Sequence, residues 1–290
     1  MNVTEVVTEI HIRRTNEASK AVQYSRAFAG LFLRDLHVLR RELFPFVIRV
    51  CMNPLLFLFV FTFIMPHMSG GAAMNPTAAM SGGAANFSTV LLPGLMAVAV
   101  MFSGIAAVAL PLAQEFGVTR EIDDRVMCPL PVPAVALEKM CFSALQSMIA
   151  AAVVFPLAYY IPSTPVVAHV ASWPFLIVVL VLASLTSGAL GLTIGTSVKP
   201  QQIGLIFGVV VMPITFLGCV YYPWTALKYI PWLQIGVLIN PIVYMSEGLR
   251  AALTPVLPHM HPAIILTMLS FFLVLLSWLG IKGFMRRVIG

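Results

Sequence analysis

The sequence predicts an all-α integral membrane protein with six transmembrane helices, on three observations. Of its 290 residues 60% are hydrophobic and 10% charged, with a mean hydropathy of +0.95, whereas soluble domains are about 25% charged. Residues 50–114 and 140–198 contain no Lys, Arg, Asp or Glu. A membrane-spanning helix needs about 20 apolar residues, so each of these blocks can hold two crossings and the turn between them. Most of the 17 Lys and Arg residues, finally, fall where the chain returns to one side of the membrane.

That distribution of charge also predicts the orientation. With the amino terminus in the cytoplasm, only Lys228 and Arg250 lie outside, which is the positive-inside pattern. Both termini are therefore expected in the cytoplasm, in a multi-pass protein of the plasma or inner membrane. Helices are expected because backbone polar groups in lipid must bond within their own segment. The predicted spans are 44–65, 90–112, 140–161, 173–198, 203–222 and 263–281.

The domain organisation is a short cytoplasmic amino terminus, 1–43, followed by a six-span transmembrane domain, 44–290. From about residue 20 to 43, apolar residues recur on one face of a helix and basic residues on the other. A basic amphipathic helix before a span is expected in the headgroup layer, near anionic lipid. A helix that binds a soluble partner is the open alternative. The residues that define the two faces include Phe28 on the apolar side and Arg26, Arg34 and Arg41 on the basic side.

The inner connection between the second and third spans, 114–139, is the longest and most charged on the cytoplasmic side. Its charged residues can form a short helix that the following prolines stop, which gives a stiff element instead of a flexible loop. The mixture of acidic and basic residues favours a docking element, and a solvated loop that only closes a hairpin is the alternative. The residues concerned are Glu121, Asp123, Asp124, Arg125 and Pro129.

The outer segment before the last span, around 221–253, is too apolar for an ordinary loop and too broken to cross the membrane. Asn240 and Pro241 can start a helix there, because Asn caps the free amides and Pro fits the first turn. Broken re-entrant or interfacial helices are therefore predicted between spans five and six. Glu247 and Arg250 are three residues apart, so they share a helix face and can neutralise each other. A charge in a membrane is costly, which suggests a pathway or gate role, with a purely structural ion pair left open.

These features together resemble the type-2 ATP-binding cassette (ABC-2) permease family, which includes drug and natural-product exporters and the permeases of nodulation oligosaccharides. The likeness runs from about Tyr24 onward and is most specific from Asn240-Pro241 through Tyr244 to Arg250. In the inner connection the family often has Gly-Thr after Arg-Glu, where this chain has Ile122-Asp123-Asp124.

The resemblance implies a transport subunit without enzymatic activity of its own. Two permeases, as a homodimer or heterodimer, are then expected to form the pathway, with each inner connection seated on one of two ABC ATPase subunits. ATP and Mg are expected on those partner chains and no cofactor on this one, and the sequence contains no Gly-x-x-x-x-Gly-Lys-Ser/Thr phosphate loop. The outer gate is placed near Tyr244 to Arg250. Membrane lipid is an expected partner, and nucleic acid is not.

The cargo is inferred from the spans, which carry almost no ionisable group but many Met and Phe residues. Soft side chains accommodate varied apolar surfaces, so export of a small amphipathic drug, lipid or natural product is predicted, as in multidrug efflux. Export of a polysaccharide or lipid-linked glycan is the alternative. An ion-coupled carrier is disfavoured because no predicted span contains an acid. An intramembrane enzyme would need a base facing a nucleophile, and no span contains His; a passive membrane scaffold remains the other class.

Overall fold

The computed structural model describes residues 3–64, 87–119, 130–161 and 168–289, and most of their side chains from residue 22 onward. Within these ranges the chain is helical and contains no strand, as the predicted fold class requires. The described α-helices are α1 Val3–Arg41, α2 Leu43–Leu58, α3 Phe87–Gln114, α4 Val132–Tyr160, α5 Trp173–Ser197, α6 Ile203–Ile206, α7 Met212–Phe216, α8 Pro231–Gly236, α9 Pro241–Leu253 and α10 Pro262–Ile289.

Among the described residues, four helices are long and apolar enough to cross a membrane, namely α3, α4, α5 and α10. The first and fifth predicted spans correspond to shorter apolar helices, Leu43–Leu58 and Pro200–Phe216. The first continues as a π-helix through Phe59–Ile64. The fifth was predicted to reach residue 222, but its helix ends at Phe216. The number of crossings and the orientation of the termini remain predictions.

Helix α3 lies at the centre of the bundle, where it packs against α4, α5 and α9. In its most apolar stretch 72% of the residues are buried inside the protein, against 17% for α10. Close approach at this centre depends on small residues, as is usual for helices packed in lipid. A Cβ on Gly191 of α5 would lie 2.9 Å from the Cα of Ile105, so α3 and α5 could not pack as they do with a larger residue there.

The bundle has two distinguishable ends. At one, which we call the charged end, α3, α5 and α10 finish and α4 begins. Lys139 Nζ lies 2.7 Å from Glu115 Oε1 there, and Arg287 donates to the carbonyl oxygens of Gly195 and Val198. Since a cation near a helix C-terminus complements the helix dipole, Arg287 closes the end of α5. At the opposite end, α9 packs against α3, α5 and α10.

Candidate functional site

The start of α9 is fixed by Asn240, as the sequence predicts. Its side-chain oxygen accepts a hydrogen bond from the Ile242 amide at 3.1 Å, and Pro241 occupies the first turn. The Asn240 amide group also donates to the Ile214 carbonyl oxygen at 2.6 Å. One side chain therefore caps α9 and ties it to α7, the end of the fifth apolar segment.

Helix α9 is buried along its whole length, with all 13 residues inaccessible. Gly248 is the point of closest packing, since a Cβ there would lie 2.8 Å from a methyl carbon of Val179 and 3.1 Å from one of Ile265. Val179 belongs to α5 and Ile265 to α10. Broken helices are therefore present between the fifth apolar segment and α10, and their re-entrant or interfacial position in the membrane stays a prediction.

Glu247 is the polar centre of this buried helix. Its Oε1 accepts hydrogen bonds from the Arg250 guanidinium and from the Trp224 amide at 2.9 Å, and its Oε2 accepts one from the Met260 amide at 3.0 Å. Both charged side chains are 0% exposed. The prediction that Glu247 and Arg250 share a face and neutralise each other is confirmed.

Arg250 reaches a turn that follows α7. Its Nη2 donates to the Cys219 carbonyl oxygen at 3.1 Å, and Ser246 Oγ donates to the neighbouring Gly218 carbonyl oxygen at 2.8 Å. Cys219 has a φ of 52°, a left-handed conformation that is uncommon for residues other than Gly. Arg250 and Ser246 therefore stabilise a turn that contains a left-handed residue, and they supply donors to two buried carbonyl groups.

Sequence reasoning missed these backbone partners. Trp224, Met260 and Cys219 contribute main-chain groups, so no side-chain pattern marks them. Gly218 was the available signal, because a Gly after an apolar helix often marks the helix end, although here the left-handed residue is Cys219.

Tyr244 is buried, and its hydroxyl donates to the Leu238 carbonyl oxygen at 3.0 Å. The structure thus brings Asn240, Pro241, Tyr244, Glu247 and Arg250 into one element and gives four of them hydrogen bonds to other segments of the chain. This arrangement can hold the connection 217–240 and the start of the last helix as one unit. The gate or pathway role of these five residues remains a prediction.

At the charged end, three ionisable residues expected near the inner connection lie inside helical structure. Glu138 and Lys139 belong to α4, which begins at Val132, and Glu115 begins the π-helix that continues α3 to Thr119. All three are buried. Pro131 is the residue before α4 and Pro133 lies in its first turn. These two prolines therefore start α4, and the short helix predicted before them lies outside the described residues.

The predicted docking residues Glu121, Asp123, Asp124, Arg125 and Pro129 lie outside the described residues. Their flanks are described, since α3 with its π-helix leads to Thr119 and α4 follows from Val132. The Glu115–Lys139 pair joins these flanks, so the two ends of the connection are in direct contact.

Helix α1 begins at Val3, so the predicted start near residue 20 made it too short, and it ends at Arg41 with a turn at Glu42. Arg26, Arg34 and Arg41 are exposed and Phe28 is half-buried, as an amphipathic helix requires. Part of the apolar face packs on α4, where the Phe32 and Phe142 rings lie 6.0 Å apart. Contact with the headgroup layer stays a prediction.

In the part of the chain that the structure describes, no group of three or more His, Cys, Asp or Glu residues could hold a metal ion. The expectation that ATP and Mg are bound by partner chains is a separate matter and remains untested.

Comparison with known proteins adds to this geometry. Residues 27–254, more than half of the chain, match the family described as ABC-2 type transporter. The chain is also 28% identical over 169 residues to the inner membrane transport permease YadH of Escherichia coli strain K12, and equally to the YadH proteins of Escherichia coli O157:H7 and Shigella flexneri. Each alignment spans 57% of this chain and 62% of the relative, so less than two thirds of these relatives' length is matched. The matched family region contains α9 and, at the charged end, the last turns of α3 and α5 and the start of α4.

Proposed function

The chain belongs to the ABC-2 type transporter family, and from this premise we propose that it is the permease subunit of an ATP-driven exporter. Its cargo is an amphipathic drug, lipid or natural product that leaves the cytoplasm. Two permease chains form the pathway in the plasma or inner membrane, with cytoplasmic termini. Two ATPase subunits on separate chains bind ATP and Mg²⁺ and supply the energy.

The observation that carries this proposal is the position of α3. This central helix continues at the charged end into the segment that holds Glu115 and packs against α9 at the opposite end. A packed helix transmits displacement along its axis, since protein interiors have low compressibility. The bundle therefore offers a direct mechanical connection between a cytoplasmic contact and the helix that we assign to the outer gate.

In the proposed mechanism, the inner connection around Glu121 to Arg125 sits on an ATPase subunit. Closure of the two ATPases on ATP displaces that connection, and the Glu115–Lys139 pair moves its two flanks together. Helix α3 carries the displacement to α9, whose buried bonds make the outer segment move as one unit. Alternating access needs two discrete arrangements of such packed elements, not continuous deformation.

An amphipathic cargo is supported by the described interior. Apart from the pair in α9, the buried Asp, Glu, Lys and Arg residues that the structure describes lie at the charged end, while α3 and α5 present mainly apolar and small side chains. Such surfaces bind apolar groups without costly desolvation of charges.

Co-purification tests this proposal. The permease, solubilised from its native membrane in mild detergent, should bring with it an ATPase subunit whose activity requires Mg²⁺ and is inhibited by vanadate. Recovery of folded permease without any ATPase, from cells that also express the neighbouring genes, would contradict the exporter assignment.

A charge reversal tests the coupling contact. Asp124→Lys should abolish most of the transport-linked ATPase stimulation, because it reverses a charge on the proposed docking surface. The permease should still insert and keep its thermal stability. Glu42→Lys, a charge reversal of an exposed acid just after α1, is the matched control and should leave stimulation unchanged. Normal stimulation in the Asp124 variant would remove this residue from the contact.

A further inference from the structure

Helix α10 has one side packed in the bundle and one side outside it. Two glycines mark the packed side, since a Cβ on Gly280 would lie 3.0 Å from a leucine side chain of α5, and one on Gly283 would lie 2.6 Å from the Thr196 hydroxyl oxygen. Phe284 is fully buried, and Arg287 bonds the end of α5. These residues recur three or four positions apart, so the opposite side of α10 faces away from the bundle.

Exposed residues follow one another along that opposite side. They are also three or four positions apart, so they form one continuous stripe, which we call the outward face of α10. In chain order they are Phe271, Leu275, Trp278, Lys282 and Arg286. The stripe is apolar up to Trp278 and cationic after it. This order complements a phospholipid, whose acyl chains lead to an anionic phosphate.

The two cations of the outward face lie next to an aromatic ring. Lys282 Nζ is 5.0 Å from the centre of the Trp278 ring, which is a cation–π distance. Arg286 is one turn further along the same face, and its side chain is exposed. Trp is enriched where the hydrocarbon of a membrane meets the headgroups, so Trp278 marks that boundary on α10. Lys282 and Arg286 then lie at the level of the lipid phosphates.

No acidic residue on α10 competes for these cations. After Glu138 the sequence contains one acid, Glu247, which is paired with Arg250 at the opposite end of the bundle. Of the acids that the structure describes at the charged end, Glu115 lies 2.7 Å from Lys139 and Glu138 is fully buried in α4. Charge complementarity therefore favours an anionic occupant on the outward face of α10.

The apolar part of the outward face has the length of one leaflet. The rise from Phe271 to Lys282 is about 16 Å at about 1.5 Å per residue. Half of a hydrocarbon core of about 30 Å is about 15 Å. An acyl chain that lies along this stripe therefore brings its phosphate to the level of Lys282. A soluble phosphate would leave the apolar part uncovered.

We propose that the outward face of α10 binds one anionic phospholipid of the leaflet at the charged end. The phosphate lies at Lys282 and Arg286, and one acyl chain lies along Trp278 and the apolar residues before it. Each cation at an anionic lipid surface contributes about fivefold to affinity. The bound lipid fixes the depth of α10 in the membrane and, through Arg287, that of the end of α5. The site is independent of the cargo and of the ATPase.

Quenching of tryptophan fluorescence by brominated lipid tests this site. Trp278 is at the charged end, whereas Trp173, Trp224 and Trp232 are at the opposite end. The full-length protein is reconstituted in phosphatidylcholine with a small fraction of phosphatidylglycerol, and one of the two lipids carries a dibrominated acyl chain. Subtracting the signal of Trp278→Phe isolates the quenching at this residue. Phosphatidylglycerol should be preferred there about twentyfold, and less at high salt.

Matched variants separate the site from the net charge of the protein. Lys282→Gln and Arg286→Gln should each lower the preference for phosphatidylglycerol about fivefold, and the double variant should remove it. Lys282→Arg keeps the cation and should retain the preference. Lys228→Gln removes an exposed cation at the opposite end of the bundle, so this control should leave the preference unchanged.

Four results would overturn the proposal. Equal quenching of Trp278 by the two lipids, or an unchanged preference in the double variant, would mean that these cations bind no anionic lipid. An equal loss in Lys228→Gln would reveal a general effect of net charge. A change of oligomeric state in Lys282→Gln, measured by light scattering and without loss of the lipid preference, would assign the outward face to a second copy of the chain.

Discussion

The two buried ion pairs of this protein differ in depth and in what surrounds them. Glu247 and Arg250 are 0% exposed and bond to three backbone groups from separate segments. Lys139 and Glu115 are 5% and 6% exposed and lie at the charged end, beside the inner connection. A pair with no exposed surface and fixed backbone partners holds one arrangement, whereas the pair at the charged end keeps a small exposed fraction. From this comparison we expect the α9 region to move as a unit and the charged end to adjust more easily.

The largest expected effect comes from breaking the deep pair. Glu247→Leu leaves the buried Arg250 without its partner and removes the acceptor of the Trp224 and Met260 amides, which should cost about 3–5 kcal/mol of stability. The measurement is the thermal unfolding midpoint in detergent, by size-exclusion chromatography with fluorescence detection.

A double variant sharpens that result. Glu247→Leu combined with Arg250→Met should be less destabilised than the sum of the two single variants, because no unpaired charge is left in the core. Strict additivity would mean that the two side chains do not act as a pair.

A smaller effect is expected at the charged end. Lys139→Met leaves Glu115 without this cation, but the Glu115 side chain keeps 6% exposure, against 0% for Glu247. The expected cost is about 1–3 kcal/mol, from the same unfolding measurement. If Lys139→Met cost more than Glu247→Leu, the contrast between the two ends would be wrong.

The N-cap of α9 should contribute less to stability than either ion pair. Asn240→Ala removes the acceptor for the Ile242 amide and the bond to the Ile214 carbonyl oxygen. Loss of an N-cap typically costs about 1 kcal/mol. Asn240→Asp keeps the capping acceptor and loses the donor to Ile214, so it should fall between Ala and wild type. An unchanged midpoint for Asn240→Ala would show that α9 is held by its packing alone.

The least effect on stability is expected on α1. Arg41→Gln changes an exposed residue and should shift stability by less than about 0.5 kcal/mol. It should nevertheless weaken binding of the protein's amino-terminal helix to anionic vesicles, which a vesicle flotation assay with the peptide 20–43 measures. Unchanged flotation would favour the alternative that this helix binds a protein.

The sequence predicted the helical class because charge-free blocks of this length have few other interpretations. It also predicted the cap of α9 and the Glu247–Arg250 pair, since both depend on spacing along one helix. Local rules of this kind need no knowledge of the rest of the fold.

Contacts between distant segments could not be predicted in the same way. The amides of Trp224 and Met260 and the Cys219 carbonyl carry no side-chain signal, and their approach to α9 depends on how three helices pack. The start of α4 was also misjudged, because Pro can end one helix or begin the next and the sequence shows only its position. Glu138 and Lys139 were therefore assigned to a connection, although they lie in a helix.

The central claim is that ATP binding by the ATPase subunits at the charged end displaces α9 at the opposite end of the bundle. A spin-labelled unnatural residue at Tyr229, which is 93% exposed, reports the distance between two permease chains by pulsed electron paramagnetic resonance. In the reconstituted complex, ATP with vanadate should shift this distance, and Asp124→Lys should abolish the shift without changing the nucleotide-free distance. An unchanged distance in the wild type under ATP hydrolysis, or the same shift in the variant, would contradict the claim.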